Sequence, residues 1–161
     1  MNKYYFYDWD CHTNTDLDLS GEAYKHLIWT CCRYCKYVSF SVEKDSEISE
    51  LEKFRVPASY DFMQKICKQQ DPESRLEIRF YVADTELCDW MCATAESIFE
   101  WIRGWAYNNP EDPIFYREDG SVFLKSCIHE GELTLLPRKE EDITVVISAA
   151  PWKKADERKY K

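Results

Sequence analysis

Leu76-Glu77-Ile78-Arg79-Phe80-Tyr81-Val82 sets apolar Leu76, Ile78, Phe80 and Val82 in alternation with Glu77, Arg79 and Tyr81. Successive side chains of an extended chain point to opposite faces, so this period of two predicts a strand lying on a core. The period then changes. Over about 85–107, Leu87, Trp90, Met91, Ile98, Trp101, Ile102 and Trp105 fall on one helical stripe, widened by Cys88, Cys92, Ala95 and Phe99. A stripe this wide predicts a long helix buried against a sheet, stopped by Asn108-Asn109-Pro110.

Working towards the N-terminus, Val38, Phe40 and Val42 alternate with Ser39 and Ser41 and predict a second strand. Before it, Tyr24, Leu27, Ile28, Cys31, Tyr34 and Cys35 have helical spacing, so a helix is expected over 21–35 with Ser20 as its cap. Residues 3–7 are aromatic and β-prone, and residues 8–20 have the composition of a loop. Residues 43–56 are charged and weakly patterned, with one helical turn expected around Ile48–Phe54. Pro57 breaks it, and Ser59 precedes a short helix carrying Phe62, Met63, Ile66 and Cys67.

Towards the C-terminus, strands are expected at about 114–117, 122–128, 132–137 and 143–149, with turns at Asp119-Gly120 and Glu130-Gly131. Strands in runs with gathered helices predict an α+β fold, a mostly antiparallel sheet with the 21–35 and 85–107 helices packed on one face. There is no repeat and no internal linker. A single domain is expected over residues 1–151, followed by a basic tail over 152–161.

The chain has 161 residues, 45% of them apolar and 16% aromatic, which excludes a disordered chain. Its 30 acidic against 21 basic residues give a net charge of −9. The tail contributes about +3, so the body carries about −12. That balance argues against direct nucleic-acid binding, which requires neutralising phosphates. The first eight residues do not have the form of a signal peptide, and no run is long and apolar enough to span a membrane, so a cytoplasmic protein is expected. In that compartment thiols stay reduced. The eight cysteines sit mostly inside apolar stripes, where they act as small hydrophobes. Cys32 and Cys35 alone have C-x-x-C spacing; Cys31, Cys32 and Cys35 with Cys11 or His12 are the weaker, zinc-binding alternative.

Phe6-Tyr7-Asp8-Trp9-Asp10 resembles the opening of haloacid-dehalogenase-type phosphotransferases, a D-x-D directly after a strand. The resemblance implies Asp8 as nucleophile and Asp10 as general acid beside Mg²⁺. It covers five residues, and Glu141-Asp142 precedes the next expected strand instead of following it. Asp16-x-Asp18-x-Ser20-Gly21 begins like a calcium loop, but Leu27 stands where a bidentate Glu is required. His129 with Glu130 and Glu132 is read as solvated turn charge. No Ser-His-Asp or Cys-His set and no phosphate-cradling glycine loop is present, and no cofactor is expected.

What remains is surface chemistry. Six Trp and eleven Tyr on an acidic body suit contact with a basic protein face, such as that of a nuclease, a toxin or a nucleic-acid-binding complex. In general character the chain resembles bacterial immunity proteins and phage inhibitors of host defence. Candidate contacts are Asp8, Trp9, Asp10, Asp16, Asp18, Glu140, Glu141 and Asp142, all in expected loops. Two alternatives stand beside this inhibitor reading: a small metal-dependent hydrolase or phosphotransferase using Asp8 and Asp10, and a structural subunit self-associating through the Trp-rich helix.

Overall fold

The computed structural model describes residues 2–104 and 107–155. Eight strands form one sheet: β1 (Tyr4–Tyr7), β4 (Tyr37–Glu43), β5 (Arg55–Val56), β6 (Leu76–Val82), β7 (Glu111–Tyr116), β8 (Val122–Cys127), β9 (Glu132–Leu135) and β10 (Lys153–Lys154). Their order is β10-β1-β9-β8-β7-β4-β6-β5, and every neighbouring pair is antiparallel. A separate ribbon pairs β2 (Trp9–Asp10) with β3 (Thr15–Asp16). The helices are α1 (Gly21–Tyr34), α2 (Ser49–Glu52), α3 (Asp61–Lys68), α4 (Thr85–Thr94) and α5 (Thr144–Ala149). The chain is thus an α+β domain with an antiparallel sheet.

The main core lies where α1, α4 and α5 meet one sheet face. Val38, Phe40 and Val42 of β4 point into it and meet Tyr24, Leu27 and Ile28 of α1 and Leu87 and Met91 of α4. The other face carries a smaller core, with Met63 of α3 on Tyr37, Phe80 and Tyr116. Strand β6 is therefore covered on both sides: Ile78 and Phe80 face α3, while Tyr81 enters the main core. Arg79, expected at the surface, is buried with Tyr81, and its guanidinium donates to the Glu43, Lys44 and Ser46 carbonyls and to Glu77.

Two expected elements differ in the structure. The 85–107 helix stops at Thr94, and Ala95 is extended. Local bonding accounts for the break: Ser97 Oγ accepts the Phe99 N–H, Glu96 C=O accepts the Gly21 N–H, and Ile98 N–H donates to Leu19 C=O. Segment 96–98 is thereby stitched to residues 19–21, and a 3₁₀ turn over Ile98–Glu100 drops Trp101 into the core. A self-association surface on this stretch loses Trp101, and Trp105 lies outside the described residues.

The expected strand at 143–149 is helix α5. Its β-branched residues are packed by context: Val146 is buried, Ile143, Ile147 and Ala150 flank it at helical spacing, and α5 lies on α1. Asp142 Oδ1 accepts the Thr144 N–H at 3.0 Å and starts the helix. Ser20 stands at the N-cap of α1 without a capping side-chain bond and bridges to Ser97 instead.

Cys32 of α1 and Cys88 of α4 meet between the two helices, with Cα atoms 6.6 Å apart; Cys31 and Cys35 are buried in the same core, and Cys11 is exposed. At the sheet edge, Trp152 packs edge-on against Phe6 at 5.5 Å, and Lys153–Lys154 pair with β1; residues 156–161 lie outside the described residues.

Candidate functional site

Strand β1 hands the chain to Asp8, whose N–H donates to the Gly131 carbonyl (2.8 Å) and whose carbonyl accepts the Leu17 N–H (2.7 Å). Those two bonds close the base of the β2–β3 ribbon. Its register sets Trp9 opposite Asp16 and Asp10 opposite Thr15. Asp8 and Asp16 thus stand together at the base, beside a groove of about 350 Å³ that Asp18, Phe99, Glu100 and Tyr107 also line.

Asp8 and Asp10 are shifted in opposite directions. Partial burial, reinforced by the Asp16 charge, holds the Asp8 carboxyl above its ordinary pKa. Asp10 is held below its ordinary value, chiefly by the His12 N–H bonded to its Oδ1 at 2.9 Å, with Lys153 adding a smaller pull. Asp18 is a joint of the fold: its Oδ1 accepts the Leu19 N–H (2.8 Å) and the Ser97 hydroxyl. No ion pair among the described residues engages Asp8, Asp10, Asp16 or Asp18. Around them Trp9 and Tyr107 are among the most exposed large side chains.

Gly131 completes the base. Its φ of +64° is left-handed, and a Cβ there would fall onto the Asp8 carboxylate. Gly131→Ala is therefore expected to lower stability by ~1 kcal/mol through backbone strain. It should also swing the Asp8 carboxylate aside without changing charge. Thermal unfolding and the carboxyl chemical shift of Asp8 check this, and an unmoved Asp8 resonance would contradict the placement.

The second acidic group does not join the first. Asp142 N–H donates to the Tyr34 hydroxyl oxygen at 2.8 Å, at the C-terminal end of α1, whereas Asp18 sits at its N-terminal end. Fourteen helical residues separate the two groups by roughly 20 Å. Glu141 is not a surface acid: its side chain is 7% exposed, and both oxygens bind Arg117, at 2.6 and 2.7 Å. Asp142 is used in starting α5, and Glu140 is exposed.

Comparison with protein families, with curated proteins and with solved structures finds no match. Among the described residues no group of three or more His, Cys, Asp or Glu side chains is arranged to hold a metal. Cys31 and Cys35 are buried, and burial pushes both thiols well up, so neither is a ready thiolate. Among the described residues no helix is long and apolar enough to cross a membrane. His129, read from sequence with Glu130 and Glu132, instead bonds Glu111 across the sheet end at 3.1 Å. No spacing rule links Glu111 at the start of a strand to His129 in a 3₁₀ turn 18 residues on, so that partnership was invisible in the sequence.

Proposed function

We propose that the protein is a non-enzymatic binding protein, an inhibitor of the immunity-protein or phage anti-defence kind, which covers a basic face of a partner protein. The carrying observation is the Asp8–Asp16 pair: two like charges share the base of the ribbon, and one carboxyl is already destabilised in its charged form. A lysine or arginine from outside relieves that repulsion, and Trp9 and Tyr107 offer the aromatic anchors that such contacts use. Asp10 extends the acidic face along the ribbon, and Asp18 positions it. On this reading Glu140 and Asp142 are peripheral, Glu141 serves the fold, and the protein works in the cytoplasm.

The test uses affinity capture from a bacterial lysate, with captured proteins identified and their affinities measured against salt. The Asp8→Asn, Asp10→Asn and Asp16→Asn triple variant keeps Asp18 and therefore the joint to Ser97. A basic partner bound by the parent should lose affinity at least tenfold with the triple variant, and its salt dependence should flatten. Because such a partner favours ionised Asp8, binding should strengthen as pH rises through that carboxyl's raised pKa. A partner held equally by parent and variant, with the same salt slope, would remove the ribbon from the interface.

A further inference from the structure

Helices α1 and α4 lie antiparallel on the main core, and their seam is tied at one end. There the Gly21 N–H donates to the Glu96 carbonyl (2.9 Å) and the Tyr24 hydroxyl to the Met91 carbonyl (3.0 Å). At the opposite end the last turn of α1 meets the first turn of α4, and each brings a cysteine to the other. Cys32 is half-buried and Cys88 fully buried, with Cα atoms 6.6 Å apart. Cys32 Sγ lies 3.5 Å from the Asp84 carbonyl oxygen, and Cys88 Sγ lies 3.8 Å from that of Ile28. Asp84 precedes Cys88 by one turn, and Ile28 precedes Cys32 by one turn. Each sulfur therefore reaches across the seam to the other's helix.

That placement is fixed by the helices themselves. Asp84 caps α4 by accepting the Leu87 N–H (2.9 Å), and the Cys35 N–H closes α1 on the Cys31 carbonyl (2.8 Å). Disulfides span Cα separations of about 4.4–6.8 Å, so the two sulfurs can be joined with both helices left where they are. The neighbouring thiols are poorer candidates. Cys31 and Cys35 are buried in the core, where burial raises both thiols and suppresses the thiolate that attacks. Cys92 stands a further turn along α4, about 6 Å beyond Cys88 in the direction away from Cys32.

We propose that Cys32 and Cys88 form a reversible redox clasp: oxidation joins them in a disulfide that locks α1 to α4, and reduction releases it. The oxidant is a low-molecular-weight disulfide of the glutathione class. Cys32, the more accessible thiol, loses its proton and attacks one sulfur of that disulfide; a mixed disulfide forms and one small thiol leaves. Cys88 then loses its proton and attacks Cys32 Sγ, expelling the second small thiol. Two protein thiols are oxidised, and one small disulfide is reduced to two thiols. The bond links residues 56 positions apart and encloses β4, α2, β5, α3 and β6. Such a cross-link stabilises the fold by restricting the unfolded chain. Cys32 sits at the far end of α1 from Asp18, so the clasp is independent of the acidic ribbon and its partner.

The experiment equilibrates the full chain in glutathione buffers running from fully reduced to fully oxidised. Thermal unfolding is followed directly, while parallel samples are denatured, alkylated and digested. Oxidised glutathione should yield one intramolecular peptide pair, Cys32 joined to Cys88. The unfolding temperature of that form should lie about 5–10 °C above that of the reduced chain and return on reduction. Cys32→Ser should unfold at one temperature whatever the glutathione ratio, a comparison that holds even if the substitution itself lowers stability. Cys88→Ala should stop at the mixed disulfide, with one glutathione on Cys32. Failure to form the Cys32–Cys88 peptide in oxidised glutathione, or pairing of either cysteine with Cys31, Cys35 or Cys92 instead, would overturn the clasp. So would a linked chain that unfolds at the temperature of the reduced one, or a redox shift that survives in Cys32→Ser.

Discussion

Replacing Arg117 by Ala is expected to cost about 3–5 kcal/mol, because it strands a buried carboxylate. The two side chains are 6% and 7% exposed. Arg117 uses its whole fork: Nε and Nη2 on Glu141 (2.6 and 2.7 Å), Nη1 on the Val122 carbonyl (2.9 Å), and Nη2 also on the Leu136 carbonyl (2.7 Å). Its guanidinium also lies 5.2 Å from the Phe123 ring centroid. The pair therefore joins β7, β8, the end of β9 and the loop before α5. Urea denaturation should show a midpoint lower by about 1–2 M with an unchanged slope. Arg117→Lys should recover only part, since one ammonium cannot reproduce the fork. The double change Arg117→Met with Glu141→Leu should be milder than Arg117→Ala alone, because no charge is left unpaired. It should still fall short of the parent, because the Val122 and Leu136 carbonyls lose their donor. A double variant worse than the single would refute the account.

The same pair sets an acid limit. Burial alone would raise the Glu141 carboxyl, but hydrogen bonds from Arg117 and from the Arg138 N–H outweigh it and hold the pKa below its ordinary value. A depressed folded pKa contributes stability that is fully present above the ordinary glutamate value. That contribution is lost as pH falls from there through the folded value.

Much of this fold is legible where a period meets a uniform environment. Val38, Phe40 and Val42 alternate because one face of β4 meets α1, and Tyr24, Leu27, Ile28 and Cys31 recur at helical spacing because α1 buries one stripe. The stripe from Leu87 to Trp105 misled because its spacing continues past a break made by residues some 75 positions away: Leu19 and Gly21 bind segment 96–98. In α5 the helical signal was present as Ile143, Val146, Ile147 and Ala150, but the β-branched run from Ile143 to Ile147 spoke for a strand. The candidate site divides in the same way. Acidic loops were readable from composition, whereas the pairing of Asp8 with Asp16 depends on ribbon register, and the withdrawal of Glu141 depends on Arg117 in another hairpin. Charge visible in a sequence locates acids; only the fold tells which of them are already used.

Trp101→Ala should be comparably damaging, at about 3–5 kcal/mol, as expected for emptying a fully buried aromatic site. Trp101 packs on Phe40 of β4 (5.4 Å between centroids) and on Trp90 of α4 (5.5 Å). Its Nε1–H donates to the Tyr24 hydroxyl (2.9 Å), which donates in turn to the Met91 carbonyl (3.0 Å). That chain ties the segment after the break at Ala95 to α1 and α4, and burial drives the Tyr24 phenol pKa well up, so the phenol stays a donor. Trp101→Phe keeps most of the apolar contact and forfeits the indole donor, so a loss of about 1–2 kcal/mol is expected. Tyr24→Phe should cost a similar amount, and the Trp101→Phe, Tyr24→Phe double variant less than the sum, since either change alone breaks the same bond. Strict additivity in denaturant midpoints would show that the two side chains act independently. The Trp90–Trp101 exciton signal in near-ultraviolet circular dichroism should survive Tyr24→Phe and vanish in both Trp101 variants, which separates loss of the bond from loss of the packing.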